Sequence, residues 1–164
     1  VDTSYWVCSF ANNQWDIAGE LGGTIMESAF ARTLKSPIKG VAMVLDHEVQ
    51  PLTRVWCLFE FLLSKQLQLE LLFTTDLGVV GDDGCTSFDI ALELGNKIES
   101  LQVANCLASS ELDKARIFEF IVESLGSLES MDNQIRSLMG QMLKKNLVNV
   151  GLATNSLLHR LGQS

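Results

Sequence analysis

The chain has 164 residues, 47% hydrophobic and 20% charged, which suits one ordinary domain with a real core and excludes a disordered segment. A formal net charge of -8 argues against nucleic acid or an anionic membrane surface as partner. No stretch approaches the roughly 20 apolar residues of a membrane span, and no signal peptide opens the chain. Four cysteines, Cys8, Cys57, Cys85 and Cys106, show no metal-ligand spacing and read as thiols kept reduced in the cytoplasm.

"YWVCSF" (5–10) is short, aromatic and apolar, as a strand buried on both faces would be. "ANNQWDIAGELGG" (11–23) reads as a long loop. "TIMESAFARTLKS" (24–36) predicts a helix, with Thr24 and Glu27 as a capping box and Lys35 in its last turn. "VAMVLD" (41–46) is a second apolar strand, and "HEVQ" a loop leading to Pro51 at the start of a helix over 52–67. "LELLFTT" (69–75) is a third strand, and 76–87 a loop. Strands alternating with helices, each apolar on both faces, predict a parallel sheet covered by helices over residues 1–75.

Residues 76–164 predict a mostly helical part packed on the same domain. Leu92, Ile98 and Leu101 mark one helix. Another spans 109–126, with Ser110 and Asp113 as its capping box and Leu112, Ala115, Phe118, Ile121, Val122 and Leu125 as its buried stripe. A third spans 131–146 with Met131, Ile135, Leu138, Met139 and Met142 on its core face. "SLLHRL" reads as a short terminal helix.

The helix over 52–67 sets one carboxylate, Glu60, among apolar residues. Wound at 100° per residue, it turns Leu52, Val55, Trp56, Phe59, Leu62, Leu63, Gln66 and Leu67 toward the sheet. Glu60 falls at the border of that face, one turn from Trp56 and from Ser64 and beside Thr53, with Arg54 and Lys65 well round the helix. Two readings stay open: a boundary glutamate reaching for water, or a carboxylate lining a cleft. Cys57 or Cys8 with His47 or His159 would make a thiol dyad only if a base reached the sulfur.

"TRVWCLFEF" resembles the Trp-Cys-Leu-x-Glu-Leu segment of TIR domains. It resembles more closely the Thr-Arg-x-Trp-Cys-x-Phe-Glu segment of TIR-like proteins from algae and other protists. The motif residues are Thr53, Arg54, Trp56, Cys57 and Glu60, and "YWVCSFANNQW" and "VAMVLD" stand upstream in matching order. The resemblance implies a flavodoxin-like sheet in which these two runs and "LELLFTT" are the second, third and fourth strands. In TIR domains that cleave NAD the Glu of this motif is the catalytic carboxylate, here Glu60. The loop residues Asn12, Asn13, Trp15 and Asp16 would then meet the base and the polar groups of NAD, a substrate and not a cofactor; no metal is implied.

The family begins with a strand and helix that would precede "YWVCSF". The first residue is Val, and the chain is read as a piece of something longer that lacks them. The expectation is therefore a signalling module acting through self-association or other TIR-like domains, ahead of an NAD-cleaving enzyme.

Overall fold

In the computed structural model the residues described are 5–7, 23–80, 82 and 88–161, with side chains throughout except at 88, 89, 146, 149, 150 and 152–161. A 3-10 turn, Ile25–Glu27, leads into helix α1, Ala29–Leu34. The single helix expected from Thr24 is broken at Ser28, which stays extended because its side chain bonds the backbone. Ser28 Oγ donates to the Ile25 carbonyl at 2.6 Å and accepts from the Ala31 N–H at 3.2 Å, so Ser28 is the N-cap of α1. The Glu27 carboxylate does turn back as a capping box would, accepting from the Thr24 N–H at 3.2 Å.

Strand β1 (Gly40–Val44), helix α2 (Val55–Gln66) and strand β2 (Glu70–Thr75) form a β-α-β unit with the strands parallel, Val41 opposite Leu71 and Met43 opposite Phe73. Gly40 lets the strands approach: a Cβ there would lie 2.7 Å from the Glu70 carbonyl oxygen. A 3-10 turn, Gln50–Thr53, holds Pro51 ahead of α2. The turn after β2 reverses at Gly78, φ 114°, into a two-residue strand β3 (Gly78–Val79) that pairs antiparallel with β2. The α/β class is as expected, but the sheet is mixed, since the stretch read as a loop carries a hairpin too short to leave a periodic signal.

The second correction concerns coverage. Met43, Leu45, Leu71 and Phe73 are buried on the face that meets α2, where Phe61 stacks on Phe73 at 6.3 Å. On the other face Ala42 is exposed and Val44 is 64% exposed. An apolar run is compatible with two-sided burial but does not supply the second layer. Of "YWVCSF", the described residues Tyr5–Val7 are irregular and exposed, not a buried strand. Trp6 packs edge-on against Phe30 of α1 at 5.7 Å, so its ring rests on the helices and not in the sheet. Cys8–Phe10 lie outside the described residues.

Helix α3 (Phe88–Glu99) buries Ala91, Leu94 and Ile98, while the expected Leu92 is exposed and Leu101 lies beyond the helix end. Helix α4 (Glu111–Leu125) starts at Ser110, whose hydroxyl accepts from the Asp113 N–H, and stops at Gly126 with φ 85°. Its core face is Ile117 and Ile121. Of the expected stripe, Ile121 is buried and Phe118 and Leu125 pack partly buried against the core, while Leu112 is 60% exposed, Val122 43% exposed and Ala115 exposed. Apolar residues line two sides of α4, and packing on α2 and on helix α5 (Leu128–Leu161) selects between them. On α5 the methionine stripe is core, with Met131, Ile135, Met139 and Met142 buried, and the backbone continues as one helix where a separate short one was expected. No helix among the described residues is long and apolar enough to cross a membrane.

Two substitutions test this packing. Ile121→Ala should lower stability by about 2–5 kcal/mol in urea unfolding, while Val122→Ala next to it should stay within about 1 kcal/mol of the native chain. Gly40→Ala should cost about 1–3 kcal/mol, because backbone stands where its methyl group would go. A stable Gly40→Ala protein would show that the strands are not in that close register.

Candidate functional site

Helix α2 is buried nearly all round. Val55, Leu58, Phe59, Phe61, Leu62, Leu63 and Ser64 are all buried, so the core-facing side reaches past the predicted face, while Gln66 and Leu67 are exposed. A ladder of aromatic rings runs beside Glu60. Phe30 stacks on Trp56 at 5.2 Å, Trp56 meets Phe59 edge-on at 5.7 Å, and Phe59 meets Phe120 of α4 at 5.4 Å.

Glu60 as a whole keeps some exposure, but its surroundings are apolar enough to change its chemistry. Desolvation raises its carboxyl group from 4.5 to about 7, against the lowering pull of the Arg54 guanidinium. Arg54 was expected to lie too far round the helix to matter; sitting just before α2 on a long side chain, it acts through space and not as a contact pair. The neighbouring hydroxyls do not help. Ser64 Oγ donates to the backbone carbonyl of Glu60 at 2.6 Å, and Thr53 Oγ1 donates to the Gln50 carbonyl at 2.8 Å, two turns away. The Glu60 carboxyl group makes no hydrogen bond among the described residues. A carboxyl group of this kind sits half-ionised near neutral pH, the condition a proton-transferring or charge-stabilising group needs.

A cavity of about 260 Å³ lies elsewhere, at the carboxyl end of β1, where open α/β sheets usually bind ligands. Glu48 and Thr53 line it from the segment after β1, Lys97 from the end of α3, and Gln102, Asn105 and Cys106 from the segment that follows. Lys97 reaches Glu48 at 2.7 Å, and Asn105 donates to Gln102 at 2.9 Å. Val49, also in the lining, is buried with φ 49°, a left-handed backbone that a β-branched residue rarely adopts. Cys106 is not a nucleophile here: burial, with the charge of Asp132, pushes its thiol up to about 11 against the lowering pull of Lys114, and its Sγ donates to the Leu52 carbonyl.

The motif is therefore split. Thr53 serves the cavity, while Trp56 and Glu60 belong to the aromatic ladder and do not line it. Arg54 forms a parallel bridge with Leu107, and Cys57 packs partly buried against the core. His47 is exposed in the loop after β1. Asn12, Asn13, Trp15, Asp16 and Cys8 lie outside the described residues. Lys97, Gln102 and Asn105 were not singled out by any motif; only their place after an amphipathic helix marks them. Compared with known proteins, the chain matches no protein-family model, no curated protein and no solved structure.

The Glu60 environment makes a signed prediction. Between 4.5 and about 7 the folded chain holds a proton at Glu60 that the unfolded chain has released. Native stability should therefore fall with rising pH across that window and level off above it. Glu60→Gln should abolish this component. The variant should gain on the native protein by up to about 3 kcal/mol between acid and neutral pH, read from urea midpoints. A native-minus-variant difference that does not change with pH would show Glu60 to be solvated.

Proposed function

We propose that the chain is a TIR-like signalling module of the cytoplasm, flavodoxin-like in plan, that works by binding other copies of itself or related domains. The observation that carries this reading is the bare side of the sheet. Ala42 and Val44 leave an apolar face of β1 exposed. An exposed apolar sheet face is a surface that another protein can cover. Sedimentation velocity over a dilution series should show a reversible, concentration-dependent dimer; a single monomer peak at the highest concentration would remove the reading.

A second reading rests on Glu60. Cleavage of the nicotinamide–ribose bond of NAD builds positive charge on the sugar, which a carboxylate can stabilise or meet at a ribose hydroxyl. The desolvated Glu60 carboxyl group, one turn from the Trp56 indole and without a hydrogen bond among the described residues, is suited to that work. It ranks second because the cavity at the end of β1 does not include it. If the ionised form acts, nicotinamide release should rise as pH passes through about 7 and vanish in Glu60→Gln with the fold retained. Release that survives this substitution would discard Glu60 as the catalytic group.

A further inference from the structure

Residues 101–107 lie between α3 and α4 and supply one wall of the cavity, with Leu101, Gln102, Asn105 and Cys106 in its lining. Within itself this segment is tightly stitched. The Asn105 N–H donates to the Gln102 carbonyl and the Cys106 N–H to the Val103 carbonyl, both at 3.0 Å, and the Asn105 and Gln102 side chains are bonded as well. Outside itself it is held at two separate places. At its start the Val103 N–H donates to Asp132 Oδ1 at 2.8 Å, and the Arg136 guanidinium donates to the Leu101 carbonyl at 2.9 Å, both from α5. At its end it docks on the approach to α2. The Leu107 N–H donates to the Thr53 carbonyl at 2.7 Å, and the Leu107 carbonyl accepts from the Val55 N–H at 3.0 Å. The Cys106 thiol donates to the Leu52 carbonyl at 3.3 Å.

Of the side chains in this segment only Val103 and Cys106 are buried, while Gln102, Ala104, Asn105 and Leu107 are exposed. A piece that is bonded within itself and anchored through few side chains detaches at lower cost than the core melts, and it detaches whole. We infer that residues 101–107 are a strap that opens and closes over the cavity as one unit, latched by Asp132 of α5. The latch is strong because the Val103 N–H is buried, and without its acceptor it would carry the full cost of an unmade bond. Opening takes away one wall, so access to the cavity follows how α5 is seated. The same movement draws the Leu107 carbonyl off Val55 in the first turn of α2.

The test reads the Cys106 thiol, which is 1% exposed and can react only with the strap off. The chain is treated with iodoacetamide along a urea series, and alkylation is followed peptide by peptide by mass spectrometry, with the partly buried Cys57 of α2 as reference. In the native chain Cys106 alkylation should depend on urea much less steeply than global unfolding followed by circular dichroism. Asp132→Ala should speed it at least about tenfold. Asp132→Asn, whose amide oxygen can still accept from Val103, should stay within about threefold of the native rate. Cys57 should keep its rate in both variants. Hydrogen exchange reads the unit as a whole: in Asp132→Ala the Val103, Leu107 and Val55 amides should lose protection together, while Leu45, bonded to Thr74 in the sheet, keeps its own. Cys106 alkylation with the full urea dependence of unfolding would overturn the strap, and this arm needs no variant to fold. Lost protection at Val103 with Leu107 and Val55 unchanged would overturn it too, since the wall would then fray and not move as one piece. An Asp132→Asn chain that opens as fast as Asp132→Ala would overturn the latch.

Discussion

One helix has almost no side facing water, and the rest of the fold is arranged around that fact. Phe61 of α2 meets the sheet at Phe73, Trp56 meets α1 at Phe30, and Phe59 meets α4 at Phe120. A helix apolar nearly all round is stable only when surrounded. A polar side chain on its buried sides must bond locally or lose its water. Ser64 takes the first course, turning its hydroxyl onto the Glu60 carbonyl one turn back. Glu60 takes the second, and its raised proton affinity follows from the same burial that holds the core together. The chemistry of this carboxyl group is thus a product of packing and needs no special charged neighbour.

What could be read in advance divides along physical lines. Local signals survived: the apolar runs that became β1 and β2, the Ser110 cap, the Gly126 stop and the methionine stripe of α5 are properties of adjacent residues. Failures came where two local answers were equally good and a distant partner chose. Helix α4 carries apolar residues on two sides, and only contact with α2 and α5 makes Ile117 and Ile121 the buried pair. Strand β1 is apolar throughout, yet helices cover one face of it. In "TIMESAFARTLKS" helix propensity lost to the Ser28 hydroxyl, a competition that periodicity does not register.

The site divides in the same way. Glu60 stood out in the sequence because an acid amid apolar residues is a local anomaly. The cavity at the end of β1 did not, because its walls come from two separate stretches, the segment after β1 and the run from Lys97 to Cys106, each ordinary alone. Its polar groups are already engaged, Lys97 with Glu48 and Asn105 with Gln102, while the left-handed backbone of Val49 is held by burial of the side chain. The two features the motif would have united lie on different flanks of α2.

Asp132 carries a consequence for how the molecule is made. It sits on α5, nearly buried, and accepts the Val103 N–H at 2.8 Å, fixing the 3-10 turn Val103–Asn105. Four residues from it, Arg136 donates to the carbonyls of Leu101 and Glu99. One wall of the cavity is therefore moored to a helix that follows it in the chain. During synthesis from the N-terminus, the β-α-β unit can form as soon as β2 has emerged, whereas that wall waits for α5. A nascent chain halted between the two would have its strands and no pocket, so the cavity is a late-maturing feature of the molecule.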